Sequence, residues 1–356
     1  MRRTVGIGFV LVLAAFAGAV LISQQAPQQQ GQQPPTATAP LAQQGGPPIT
    51  QRVSEVDLVL AVVNRRQKFV TDLERGDFKV MEDNQQQEIK FFNQQTDLPL
   101  RVGLLLDTSN SIRSRLQFEK DAADDFLFDV LRPEKDLAFL MTFDSDPAVV
   151  QDFTNDLDAL RNAVDKQHAG GGTALYDAMI KASEKLGQAP MAKGPKTDVR
   201  RVLVVISDGD DNLSNSMKSD AIDAAQRAGV VIYTISTSTD WIVPEESKDI
   251  RKQMDRKFAY TDGDKVLQAF TEGTGGRAFY PYHVEDVAQS FMSIVTELRS
   301  QYLLGYSPSN AIADGRFRKI RIEIPGHKEL DVRTRKGYFA IPVSSGGHTP
   351  TSPSDH

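Results

Sequence analysis

The chain has 356 residues and a net charge of −6, from 41 Lys and Arg against 47 Asp and Glu. That balance supplies no basic field for nucleic acid, and the length suits one large domain with a smaller partner. The absence of cysteine excludes disulfides, thiolate metal sites, cysteine nucleophiles and a lipidated cysteine anchor.

Arg2 and Arg3 precede an uncharged stretch from Val5 to Ile22, the pattern of an export segment. Ala17-Gly18-Ala19 offers a signal-peptide cleavage site, while the apolar length also suits a retained membrane tether through residues 5–22. With residues 1–22 read either way, the remainder lies outside the cytoplasm: periplasmic, on the cell surface or secreted. Residues 23–51 are rich in Gln, Pro, Ala and Gly and lack charge, so they read as a disordered linker. Residues 342–356, rich in Ser, Gly and Pro, read as a loose tail.

Strand-like alternation begins at Val56 to Val63 and returns at Phe78 to Glu82 and Glu88 to Phe92. From residue 100 to 302, short β-branched runs alternate with amphipathic segments, as in an α/β domain. Val102 to Leu106 is a strand, followed by a helix from Ile112 to Leu131. Leu137 to Phe143 and Ala148 to Phe153, joined by Asp144-Ser145-Asp146-Pro147, form an antiparallel hairpin because the turn is too short for a crossover. Next come helices at Leu157 to Val164 and Ala174 to Leu186, a strand at Val202 to Ile206, and a helix from Ala221 to Ala228 that Gly229 ends. Val230 to Ile235 and Arg277 to Tyr280 are strands; Val266 to Phe270 and Asp286 to Leu298 are helices. The predicted fold class is α/β, a doubly wound, mostly parallel six-stranded sheet in the order 3-2-1-4-5-6.

After it, Ile320, Ile322 and Ile324 alternate with charged residues, as do Leu330, Val332 and Thr334. Residues 52–97 and 303–341 are each thin for an independent core. Together they make the halves of a small β-sandwich interrupted by the α/β domain; the competing arrangement is two separate β appendages.

Asp107-Thr108-Ser109-Asn110-Ser111 follows the first α/β strand directly. One carboxylate and two hydroxyls at alternate positions, on the edge where parallel sheets bind ligands, suit a hard cation held by oxygens. Thr173, behind Gly170-Gly171-Gly172, and Asp208, after Val202 to Ile206, come from the same edge. Strands 1 and 4 are neighbours in the expected order, so Asp107 and Asp208 flank the switch-point crevice. Each residue also has a plainer reading: Ser111 or Thr173 as a helix cap, and Asp210 and Asp211 as parts of a solvated loop.

Asp-x-Ser-x-Ser, a separated Thr and a later Asp together resemble the metal-ion-dependent adhesion site of von Willebrand factor type A domains. The resemblance covers residues 100–302. Val70-Thr71-Asp72-Leu73, Gly76-Asp77-Phe78, Glu82-Asp83 and Arg335-Lys336-Gly337-Tyr338-Phe339 are similar to the flanks of a bacterial, exported group of such proteins. The resemblance implies that Asp107, Ser109, Ser111, Thr173 and Asp208 bind Mg²⁺, with Mn²⁺ or Ca²⁺ as alternatives. It implies a protein partner that offers an Asp or Glu carboxylate to the metal, and, in related domains, coupling to the last helix, here Asp286 to Leu298.

The rival chemistries have weak support. Gly170-Gly171-Gly172-Thr173 lacks the following lysine of a phosphate loop. The histidines at 168, 283, 327, 348 and 356 neighbour no nucleophile elbow, so the chain is read as a non-enzyme. His168 reads as a surface residue near the Thr173 loop, and His283 as part of a strand-to-helix turn. The segment from Asp240 to Lys257 is long for a connection; it reads as a small packing cluster of Trp241, Ile242 and Ile250, with a lid or partner surface near the ligand edge as the alternative. The alternative function is an exported assembly factor or enzyme accessory subunit whose metal is structural.

Overall fold

The computed structural model describes residues 53, 55–94, 98–192, 199–238, 261–281 and 285–341. The expected export segment and linker, the Trp241 segment, His283 and the tail lie outside the described residues. Among the described residues no helix is long and apolar enough to cross a membrane.

The central sheet contains β5 (Leu100–Asp107), β6 (Leu137–Phe143), β7 (Pro147–Thr154), β8 (Arg200–Ser207), β9 (Val230–Ser236) and β10 (Ala278–Phe279). Its order is β10-β9-β8-β5-β6-β7, which is the expected 3-2-1-4-5-6. Every neighbouring pair is parallel except β6 with β7. The short Asp144–Asp146 turn places that reversed strand at the edge.

β5 is buried along its whole length, and its alternation divides the core in two. Val102, Leu104 and Leu106 meet α1 (Leu116–Val130), α2 (Leu157–Asp165) and α6 (Glu285–Arg299), where Phe126 stacks on Phe291 at 4.7 Å. Leu105 joins Phe139 and Met141 beneath α3 (Leu175–Gly187), α4 (Lys218–Ala228) and α5 (Asp262–Thr274). Each such fully buried side chain contributes about 1.5–3 kcal/mol. α4 ends at Gly229, whose φ of 64° places it in the left-handed region that closes a helix. α1 starts later than its apolar pattern indicates, because a 3-10 turn at Asn110–Ile112 and a further turn intervene.

The flanks interleave into two four-stranded sheets, which excludes separate appendages. One has the order β13-β1-β11-β4 and the other β14-β12-β2-β3, where β1 is Val56–Asn64, β2 Lys79–Glu82, β3 Gln85–Gln87 and β4 Ile89–Asn93, and β11 is Tyr302–Tyr306, β12 Phe317–Glu323, β13 Leu330–Arg333 and β14 Gly337–Phe339. β1 pairs with both β11 and β13, and β2 with β12. One shared core holds Leu58, Leu60, Val80, Tyr302, Leu304 and Ile320, among others. The Tyr302 hydroxyl donates to Val70 O at 2.9 Å and accepts from Leu73 N–H at 3.0 Å, tying the second flank to the first. Three strands carry no clear pattern in the sequence. β3 is all glutamine and owes its place to a two-residue turn at Asp83 and Asn84, both at positive φ. β14 is too short to display a period, and β11, buried along most of its length, does not alternate.

The two cores are joined by polar groups at the end of α6. Glu297, fully buried, pairs with Arg333 of β13 at 3.2 Å and accepts from the Tyr233 hydroxyl at 3.2 Å. Arg200 Nη1 donates to Leu298 O at 2.9 Å. Removing one partner of a buried pair leaves an uncompensated group, so Arg333→Ala is expected to lower the unfolding free energy by about 3 kcal/mol. Adding Glu297→Gln should recover part of that loss in denaturant titrations; independent, additive losses would show that the pair is not coupled.

Candidate metal centre

β5 and β8 are parallel neighbours in which Leu106 faces Ile206. One residue further, Asp107 lies level with Ser207, whose hydroxyl donates to Asp107 Oδ2 at 2.7 Å. Ser109 N–H donates to the other oxygen at 2.8 Å. Asp107 is fully buried, and burial pushes its carboxyl up to about 6, against the pull of the Ser109 and Ser207 hydrogen bonds and with a further push from Asp208.

From Asp107 the polar chain continues outward. Ser109 Oγ lies 2.9 Å from Ser111 Oγ, and Ser111 Oγ donates to Asp208 Oδ2 at 2.9 Å. Two loops and two strands thus converge their oxygens at the carboxyl edge of the sheet. The loop carrying Thr173 is fastened to the first by Gly170 N–H to Thr108 O at 2.8 Å and Asn110 N–H to Gly171 O at 3.3 Å. Thr173 itself is buried, and its N–H donates to Asn212 Oδ1 at 2.9 Å. No hydrogen bond links its hydroxyl to the Ser109, Ser111 and Asp208 chain.

The capping alternatives fail in this geometry. The N-cap residues of the 3-10 turn after Ser109, of α1 and of α3 make no side-chain cap bond. The first turn of α3 is served from another loop: Asp211 accepts from Tyr176 N–H at 3.0 Å, and Ser214 Oγ from Asp177 N–H at 3.1 Å. Asp211 is therefore a bound structural carboxylate, correcting its reading as part of a solvated loop. Asp210 is exposed as expected, and so is His168.

Several contributors escape sequence inspection. Ser207 stands beside Asp208 in the chain, and only strand register shows that it, not Asp208, faces Asp107. Gly209, with φ of 83°, lies against Gly263 at the start of α5; a Cβ on Gly263 would sit 2.2 Å from Asp208 O. That close approach fixes the backbone carrying Asp208. Glu119 of α1 is buried with neither carboxylate oxygen hydrogen-bonded. Burial pushes it up to about 8, opposed by Arg115 and reinforced by the negative Asp107 and Asp208.

The donor set fits a hard cation. Among the described residues no group of three or more His, Cys, Asp and Glu could hold a metal, so a thiolate or imidazole centre is absent there. The five expected residues instead offer two carboxylates and three hydroxyls that no helix uses as caps. Neutral hydroxyls with few carboxylates suit Mg²⁺, which keeps several waters.

Residues 102–272 match the family pattern described as von Willebrand factor type A domain. No curated protein matches the chain. Among solved structures, the chain is similar to a von Willebrand factor type A protein of Catenulispora acidiphila at 11% identity, over 81% of this chain and 73% of that one, with a TM-score of 0.45. It is also similar to an aerotolerance-related membrane protein of Bacteroides fragilis at 17% identity, over 56% of this chain and 98% of that one, TM-score 0.41. A third is the corresponding domain of the type V pili tip protein Mfa5 of Porphyromonas gingivalis at 13% identity, over 56% and 95%, TM-score 0.41.

Gly263→Ala is expected to destabilise the fold by about 1–3 kcal/mol, because its methyl would overlap Asp208 O. Gly76→Ala, which meets nothing within 4 Å, is the control. Equal denaturation midpoints for the two variants would contradict the close approach.

Proposed function

Since residues 102–272 form a von Willebrand factor type A domain, we propose that this chain is an exported, Mg²⁺-dependent protein-binding module that captures a carboxylate of a partner protein. Asp107, Ser109, Ser111, Thr173 and Asp208 are the residues proposed to hold the metal. The observation that carries the reading is the convergence of Ser109, Ser111 and Asp208 through two 2.9 Å hydrogen bonds above the buried Asp107.

When bound, the cation supplies an electrophilic centre that an acidic side chain can reach. The chain's own residues prepare the place for it. Ser207 and the Ser109 N–H hold both oxygens of Asp107 in a fixed orientation, so little reorganisation is needed. Hydroxyl donors add no negative charge, which leaves the cation attractive to a carboxylate from outside. Among the described residues no histidine is hydrogen-bonded to Ser109, Ser111 or Thr173, and the carboxylate that accepts from Ser111, Asp208, is itself a proposed metal ligand, which favours holding a ligand over transforming it. Export is supported by Arg2 and Arg3 ahead of the apolar Val5 to Ile22 stretch.

Calorimetry of a fragment from residue 52 onward is expected to show Mg²⁺ binding that Asp107→Ala abolishes and Thr173→Ala weakens roughly tenfold or more, about 1.4 kcal/mol. Circular dichroism checks that each variant is folded. Unchanged Mg²⁺ affinity in a folded Asp107→Ala would refute the assignment. Recovery of partners from the same compartment in Mg²⁺, and their loss in EDTA, tests the carboxylate-capture role.

A further inference from the structure

Leu213 is 48% exposed, and it is held in place rather than loose. Its N–H donates to Thr173 O at 3.1 Å. Its side chain covers Gly172, where an added Cβ would lie 2.4 Å from Leu213 Cδ1. The surrounding loop is locked to α3: Asp211 binds Tyr176 N–H and the Ser214 hydroxyl, while Asp177 accepts from Asn215 N–H at 2.9 Å and Ser216 N–H at 3.1 Å. An exposed leucine therefore stands beside Thr173 on a rigid support.

The rim around it is acidic. Asp144 adjoins Gly171, Asp146 follows in the same turn, and Asp210 N–H bonds Asp208. None of these three carboxylates forms an ion pair among the described residues. Asp262 is already paired with Lys265 at 2.8 Å. The cationic side of the rim is Arg113, which donates to Ala169 O at 3.3 Å. A purely acidic partner surface would be repelled by Asp144, Asp146 and Asp210.

We propose that the site recognises a short segment in which the metal-seeking carboxylate is next to an apolar side chain and is flanked by lysine or arginine. The apolar side chain packs on Leu213, and the basic flanks face Asp144, Asp146 and Asp210. This deepens the reading given under Proposed function and rests on it. It assigns selection to Leu213 and the three aspartates, and capture to the metal ligands.

The test uses four synthetic peptides against the full chain in Mg²⁺: Lys-Lys-Leu-Asp-Lys-Lys, the same with Gly for Leu, the same with Asn for Asp, and Glu-Glu-Leu-Asp-Glu-Glu. The first should bind tightest, the glycine peptide about tenfold more weakly, and the glutamate-flanked peptide weakest of the acidic set, with a difference that shrinks in salt. Leu213→Ala should erase the leucine preference while leaving Mg²⁺ affinity unchanged. Equal binding of leucine and glycine peptides, or no binding of the first at millimolar concentration while Mg²⁺ still binds, overturns the proposal alone. Equal binding of the Asp and Asn peptides, or binding indifferent to EDTA, overturns the underlying carboxylate reading.

Discussion

β5 is enclosed by neighbouring strands on both edges and by helices on both faces, and the placement of every functional group depends on that enclosure. A strand buried in this way has only its ends open, and its carboxyl end is occupied by Asp107. The carboxylate is fully buried, with its two oxygens satisfied by Ser109 and Ser207. Such a group is costly to bury without partners. The register between β5 and β8 supplies one partner, and the tight turn after β5 supplies the other. Beyond it, Ser109 meets Ser111, and Ser111 reaches Asp208.

The loops around this point form a closed set of mutual supports. Residues 170–173 bond the loop after β5, residues 211–214 bond both Thr173 and the first turn of α3, and the start of α5 presses on Asp208 and Gly209. Pre-organisation of this kind reduces the ordering cost of binding. At the opposite end of the α/β unit, the end of α6 is bound through Glu297 to Arg333 of the sandwich. The C-terminal end of α6 is therefore anchored to the second domain by a buried ion pair.

The strands with strong runs, such as Val102 to Leu106 and Val202 to Ile206, were legible because apolar length between turn signals is a local property. The same holds for the hairpin, whose short turn permits one geometry, and for the Gly229 helix stop. β3, β11 and β14 were not legible. The glutamines of β3 take strand form because the Asp83-Asn84 turn folds them onto β2, and β11 is recognisable only once β1 and β4 lie beside it. The delayed start of α1 has a related cause, since the residues after Ser111 serve the loop before they serve the helix.

The amino-acid sequence alone determined the α/β class, the strand order and the oxygen-rich residue types gathered at one edge, while it left the joining of the two flanks open against separate appendages. These follow from period, spacing and residue chemistry, which are carried by neighbours in the chain. Tertiary structure alone decided which hydroxyls are spared from capping, that Ser207 steadies Asp107, that Asp211 serves α3 and that Leu213 stands exposed beside Thr173. Those outcomes depend on register between strands and on loops far apart in sequence meeting in space. A residue's partners across a sheet edge are set by the packing of whole elements, not by its own neighbours.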